Sequence, residues 1–225
     1  GLTEAFMQAV DKDEEYDLVA PHTKEVIQTL KAREVFALLV QKAWESGDPG
    51  MVFLDRINRD NPTPAQGDIE ATNPCGEQPL LPYEACNLGS INLALFHDAN
   101  ARDGVDWDSL KQVIRQSVRF LDNVIEASVY PLQQITDTVR TNRKIGLGLM
   151  GFADLLYQLK IPYNSQEGVN LAEKLMGFIQ DESKLASKEL AEERGAFPAF
   201  GESVFAAKKQ GPYRNATTTT IAPTG

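Results

Sequence analysis

The chain has 225 residues, 42% of them hydrophobic and 24% charged, a composition that can bury a core and is not that of a disordered segment. Its net charge of −10 argues against a nucleic-acid-binding face, because phosphate contacts are made chiefly by Lys and Arg. No apolar run approaches the roughly 20 residues that span a bilayer, and the opening Gly1-Leu2-Thr3-Glu4 has neither basic nor apolar signal character, so a cytoplasmic protein with no membrane partner is expected.

The first segment reads as a helix with Phe6, Met7 and Val10 on one face, ending in the acidic stretch 11–15. Tyr16 to Ala20 is a short apolar run closed by Pro21, consistent with a strand. From Arg33 to Ser46, Val35, Leu38, Leu39 and Ala43 recur at helical spacing, and Gly47 and Pro49 stop the pattern. Met51 to Leu54 is a second short strand candidate. Residues 58–82 then change character: seven prolines and glycines, among them Asn61-Pro62, Asn73-Pro74 and Gly76, make a loop of about 25 residues, a length that in compact domains usually signals function or disorder. Ser90 to Phe96 resumes an ordered apolar pattern.

The clearest helix runs from Asp106 to Ala127, with Trp107, Leu110, Ile114, Val118, Leu121 and Ile125 in one stripe. Leu132 to Thr141 reads as another. Lys144 to Leu147 reads as a strand running into a helix that starts at Gly151. Val169 to Arg194 is a long helix with Leu171, Leu175, Phe178, Ile179 and Leu185 inward and Gly195 closing it. Thr217 to Ile221 is β-branched and strand-like. Short strands alternating with helices indicate α/β architecture with a largely parallel sheet.

Two cysteines and two histidines, Cys75, Cys86, His22 and His97, are the whole soft-ligand inventory. They form no C-x-x-C knuckle, so no metal site is expected. In Asn73-Pro74-Cys75-Gly76-Glu77 the proline and glycine put Cys75 at a tight, exposed bend. If the bend were extended, Glu77 would project to the same side as the thiol. A plain loop with an inert thiol remains the alternative, and a cysteine hydrolase would need a base beside the thiol. Gly146-x-Gly148-x-x-Gly151 matches the dinucleotide fingerprint formally, but the strand before it is very short and polar residues precede it. Acidic runs such as Glu189, Glu192 and Glu193 read as solvated helix faces.

The stretch from Asn73 through Gln78-Pro79-Leu80-Leu81-Pro82-Tyr83-Glu84-Ala85-Cys86-Asn87-Leu88-Gly89-Ser90-Ile91-Asn92 to Leu93 resembles the catalytic finger loop of ribonucleotide reductases, most of all the adenosylcobalamin-dependent (class II) type. Three further segments resemble the same family in the same order: residues 13–18, residues 142–154, and Thr219-Thr220-Ile221-Ala222-Pro223-Thr224-Gly225. The resemblance thus covers almost the whole chain.

That resemblance implies a ten-stranded α/β barrel of two antiparallel halves with the finger loop, about residues 58–90, threaded through its middle. Residues 1–225 would form part of this catalytic barrel domain. It implies that Cys75 becomes a thiyl radical and removes the 3′ hydrogen of the ribose, that Glu77 takes the 3′-OH proton, and that Asn73 hydrogen-bonds the sugar hydroxyls. Pro74 and Gly76 belong to the same substrate-binding run. Cys86 is implied to be half of the dithiol that supplies two electrons, its partner lying on an earlier strand; a Cys75–Cys86 disulfide is the alternative. Ala222, Pro223, Thr224 and Gly225 resemble the loop that holds the substrate phosphates, where Gly-turn N–H groups and a hydroxyl suit an anion. The implied partners are a ribonucleoside diphosphate, a thioredoxin-like or other dithiol reductant and a second copy in a homodimer. The implied cofactor is adenosylcobalamin, the alternative being a radical received from a metal-containing small subunit. The chain stops inside a strand-turn signal, so an internal piece is expected. Such a piece could be a non-catalytic part of a split or incomplete gene, inactive by itself.

Overall fold

The structure, a computed structural model, describes residues 1–224. The chain divides into two compact units, Gly1–Asp60 and Asn61–Gly225.

In the first unit, helix α1 (Glu4–Lys12) starts where the Thr3 hydroxyl accepts the Phe6 N–H at 3.2 Å and ends on left-handed Asp13. Its inner face, Phe6, Ala9 and Val10, packs on Ala32, Val35 and Phe36 of α2 (Ala32–Ser46). Between the two helices an antiparallel hairpin pairs β1 (Glu15–Val19) with β2 (Val26–Lys31). Strand β1 was expected and β2 was not. Val26 and Ile27 are exposed, so β2 carries no inward/outward alternation to read. One member of the stripe expected along α2 is corrected: Leu38 is 52% exposed, while Val35 packs on the core and Leu39 and Ala43 are half-buried. Met51 to Leu54 is not a strand. Phe53 makes a single bridge to Leu2, and Leu54 opens helix α3 (Leu54–Arg59). Asp55 favours that helix start because a carboxylate is stabilised at the positive end of the helix dipole.

The second unit is built on a parallel pair, β5 (Asn87–Asn92) with β6 (Ile145–Met150), in register from Asn87↔Ile145 to Asn92↔Met150. One face of the pair is covered by two long helices, α4 (Trp107–Ala127) and α7 (Gln166–Arg194). The expected α4 stripe is buried, with Leu110, Ile114, Val118 and Ile125 fully so, against Leu175 and Ile179 of α7 and Ile145 and Leu147 of β6. Asp106 and Ser165 cap the two helices through the N–H groups of Ser109 and Gly168, both at 3.0 Å. Leu185 does not face inward; it is 46% exposed. The α7 stripe continues instead through Glu182, Ser183, Ala186 and Leu190, whose small members let the helix lie close. Helices α5 (Gln133–Asn142) and α6 (Phe152–Leu159) flank β6, and α8 (Val204–Ala207) is a single late turn.

The long loop is not structureless. Its middle forms a short antiparallel ladder, β3 (Ala71–Thr72) with β4 (Pro79–Leu80), which holds residues 73–78 as a tip. The expected strand over Thr217–Ile221 is not formed: the segment lies beside β6 through a single parallel bridge, Leu147 to Thr219, and the Thr220 N–H reaches the Leu147 carbonyl at 3.2 Å. The α/β reading therefore holds, but two of the three strand pairings are antiparallel, so the sheet is not largely parallel. No closed barrel is seen among the described residues. A barrel requires every strand to be paired on both edges, and these strands form three separate two-stranded pairs.

Candidate functional site

The tip of the β3–β4 hairpin is closed by Asn73. Its N–H donates to the Gln78 carbonyl at 3.2 Å, its Oδ1 accepts the Gln78 N–H at 3.0 Å, and its carbonyl accepts the Gly76 N–H at 3.0 Å. The Thr72 hydroxyl also donates to the Asn73 carbonyl. Pro74 and Cys75 thus occupy the corner of a tight turn, both exposed. Gly76 has φ +89, and a Cβ there would meet nothing within 4 Å, so the glycine serves the turn geometry and leaves open space beside the thiol.

Cys75 and Glu77 are not related as two residues of an extended strand. The turn separates them: the Cys75 side faces solvent, while Glu77 Oε2 is buried with no hydrogen-bond partner among the described residues. A buried carboxylate oxygen without a donor is costly unless a group arrives to fill it. The Glu77 main chain is itself pinned, its carbonyl accepting the Thr220 hydroxyl at 3.0 Å.

The three glycines of the formal fingerprint allow close packing, Gly146 against the loop and the other two against Thr220 and Asn92. Gly146 and Gly148 point to the face of β6 opposite the helices, as alternate residues of one strand must. A Cβ on Gly146 would lie 2.6 Å from Gln78 Nε2 and 2.6 Å from Leu88 Cδ2, and one on Gly148 would lie 2.6 Å from the Thr220 carbonyl oxygen. Gly151, with φ +67, fits against the Asn92 side chain at the start of α6. These are packing glycines: the room beside them is taken by Gln78, Thr220 and Asn92.

Cys86 lies just before β5. Its thiol donates to the Asn87 carbonyl at 3.4 Å, and both cysteines are free, so the Cys75–Cys86 disulfide is not formed. Burial pushes the Cys86 thiol up to about 12, helped by the Glu84 carboxylate, opposed by Lys144, and raised further by Glu77. Glu77 and Cys86 are therefore brought into electrostatic range of each other. Beneath them, Glu84 and Lys144 form a buried ion pair at 2.6 Å that the sequence reading missed.

In the last described residues, the Thr224 hydroxyl lies 3.2 Å from that of Ser90 and 3.3 Å from the Leu149 carbonyl, and the Thr224 N–H donates to the Ala222 carbonyl at 2.8 Å. Ala222 is half-buried, and Pro223 and Thr224 are exposed. Gly225 lies outside the described residues. The Ser90 contact was also missed; Ser90, Gly146 and Gly148 share one face of β5–β6, so Gln78, Thr220 and Thr224 gather on that face.

No helix among the described residues is long and apolar enough to cross a membrane. A family model described as the barrel domain of ribonucleotide reductase matches residues 1–217. The chain is 53% identical to a vitamin B12-dependent ribonucleoside-diphosphate reductase of Thermoplasma acidophilum, over 100% of this chain and 29% of that protein. It is 54% identical to a reductase of the same name from Mycobacterium tuberculosis, over 100% of this chain and 32% of the relative. A vitamin B12-dependent ribonucleotide reductase of Agrobacterium fabrum is 37% identical over 88% of this chain and 16% of its own length. The chain spans less than a third of the length of each of these relatives.

Proposed function

The chain belongs to the ribonucleotide reductase family, and on that premise we propose that it carries the finger loop and part of the barrel domain, residues 1–225, of a ribonucleoside-diphosphate reductase that makes deoxyribonucleotides by thiyl-radical chemistry. The observation that carries this reading is the pairing of an exposed thiol, Cys75, at a clamped turn with a buried and unpartnered carboxylate oxygen, Glu77 Oε2, two residues on.

In this reading the Cys75 sulfur, as a thiyl radical, takes the 3′ hydrogen atom of the ribose and later returns one. An S–H bond is weak enough for that exchange to run both ways. Glu77 Oε2 accepts the 3′-OH proton, which fills its missing hydrogen bond and acts as general base. The Asn73 side chain closes the turn and lies beside the sugar hydroxyls, so one residue sets both the thiol and the substrate. Cys86 and a second thiol from elsewhere in the protein are oxidised to a disulfide. Their two hydrogens end one on C2′ and one in the water formed from the departing 2′-OH, so two electrons pass to the substrate. Ala222, Pro223, Thr224 and Gly225, with Ser90 behind Thr224, receive the phosphates.

The names of the relatives from Thermoplasma acidophilum and Mycobacterium tuberculosis support adenosylcobalamin rather than a metal-containing small subunit as the radical source. The residues present fit such a group: Cys75 is exposed, and nothing would crowd an atom placed on Gly76, so a bulky partner can approach the thiol. When bound, the cofactor supplies the acceptor for the hydrogen atom of Cys75. A cytoplasmic homodimer served by a thioredoxin-like dithiol and binding no nucleic acid completes the reading; the net charge of −10 suits the last point. The test is deoxyribonucleotide formation from a ribonucleoside diphosphate by the full-length protein, with and without adenosylcobalamin. Product only with the cofactor is expected, and equal product without it would overturn the cofactor assignment.

A further inference from the structure

Lys144 and Glu84 are 60 residues apart in sequence, yet both are almost fully buried, 1% and 0% exposed at the side chain, and their charged atoms are 2.6 Å apart. The parallel register explains how they meet Cys86. It pairs Asn87 with Ile145, so the positions immediately before, Cys86 and Lys144, are neighbours at the mouth of β5 and β6. Glu84 is tied down by more than the lysine. Its Oε2 also accepts the Leu81 N–H at 2.9 Å, and its Oε1 accepts the Asn142 amide at 2.8 Å. A buried ion pair is seldom worth much as a stabiliser, since desolvation offsets the attraction. One placed beside a thiol calls for another use.

We propose that the Glu84–Lys144 ion pair is a positioning device for Cys86: by tying the chain two residues before the thiol to the residue that precedes β6, it holds Cys86 at the foot of the loop. The inference rests on the reading of Cys86 as redox-active. The charged groups acting on the thiol are Glu84, Lys144 and Glu77. Glu84 and Glu77 oppose thiolate formation and Lys144 favours it, with burial, the largest effect, also opposing it. Holding the thiol protonated keeps a hydrogen on the sulfur for delivery to the substrate. It also withholds a thiolate from stray oxidants, because the thiolate is the nucleophilic form. Keeping the lysine close leaves ionisation within reach once the carboxylate is neutralised.

The test is the rate of alkylation of Cys86 in the full-length protein, resolved by mass spectrometry at that residue and followed against pH with iodoacetamide. Glu84→Gln removes the opposing carboxylate and leaves the cation, so Cys86 should react roughly 10-fold faster at neutral pH, the effect of about one unit in its ionisation. Lys144→Met removes the favourable charge, so Cys86 should react no faster than in the wild type. The double variant Glu84→Gln/Lys144→Met, which removes both charges while keeping the volume, guards against misfolding of either single variant and should fall between them. Equal acceleration in all three would mean that the pair only seals the site, and no change in any would mean that it does not act on the thiol; either result overturns the inference. Formation of a Cys86 disulfide in a single turnover tests the redox reading separately, and its failure would leave the alkylation result standing.

Discussion

Replacing Gly146 with alanine sets a methyl group into the contact between β6 and the finger loop. The Cβ would lie 2.6 Å from Gln78 Nε2, 2.6 Å from Leu88 Cδ2 and 2.9 Å from Thr220 Cγ2. Ordinary contact begins near 3.4 Å, so the neighbours must give by about 0.8 Å. Gln78 is only 5% exposed and adjoins Asn73 across the turn, and Thr220 is bonded to both Leu147 and the Glu77 carbonyl, so any shift passes to the tip. Overpacking of this kind costs roughly 1–3 kcal/mol. A displacement approaching 1 Å at a reacting group costs on the order of 10²-fold in rate. The full-length Gly146→Ala enzyme should therefore fold, lose about 10- to 100-fold in kcat, and melt lower. Gly177→Ala is the control: Gly177 is exposed within α7 with nothing within 4 Å of its Cβ position. That change should add about 0.5–1 kcal/mol through helix propensity and leave kcat alone. Wild-type kcat and melting temperature in Gly146→Ala would refute the claim that this glycine seats the loop.

Glu77→Gln keeps the shape and removes the base, so turnover should slow by roughly 10²–10⁴ when chemistry limits; an unchanged single-turnover rate would remove Glu77 from that role. Asp122, fully buried, accepts from Arg143 at 2.7 Å, Arg194 at 3.2 Å and Arg214 at 3.4 Å. Asp122→Ala should destabilise by roughly 3–5 kcal/mol, because it removes the buried carboxylate that the three arginines share and leaves the buried Arg143 only the exposed Glu126 carboxylate; an unshifted denaturation midpoint would count against that network. The Cys86 thiol holds its proton in the folded state up to about pH 12, against an ordinary value of 9.0. The unfolded thiol ionises first as pH rises, so the stability this group contributes is present below pH 9 and is lost on approaching pH 12. Wild type should thus lose more stability than Cys86→Ser across that range, and parallel profiles would contradict the burial of the thiol.

The helices that back the sheet were legible because their apolar residues recur at the helical period: α4 and α7 match their stripes almost residue for residue, Leu185 excepted. Strand β6 was legible from its apolar run, whereas the β-branched run Thr217–Ile221 makes only a single bridge to it. Strand β2 was not legible, because Val26 and Ile27 are both exposed and leave no alternation. The run from Met51 to Leu54 is too short for periodicity to separate helix from strand; only Leu54 joins a helix, whose start Asp55 favours. At the site, Cys75 and Glu77 stood out by the motif around them. The opposite burial of their side chains did not, because it depends on the turn hydrogen bond from Gly76 to Asn73. Glu84, Lys144 and Ser90 gave no local signal at all. Their roles arise from the register of β5 on β6 and from the return of the chain to Thr224, long-range pairings that spacing along the sequence does not encode.

The central claim is that Cys75 carries the radical, and Cys75→Ser tests it most directly. Serine is nearly the same size and the position is exposed, so the turn closed by Asn73 should persist. A serine O–H bond is too strong to yield its hydrogen to a ribose radical. The measurement is made on the full-length enzyme with adenosylcobalamin and a ribonucleoside diphosphate tritiated at the 3′ position. It follows deoxyribonucleotide formation and tritium release together, with nucleotide binding measured in parallel. Binding close to wild type with neither product nor released tritium is the expected result. Appreciable deoxyribonucleotide from the serine variant would contradict the account.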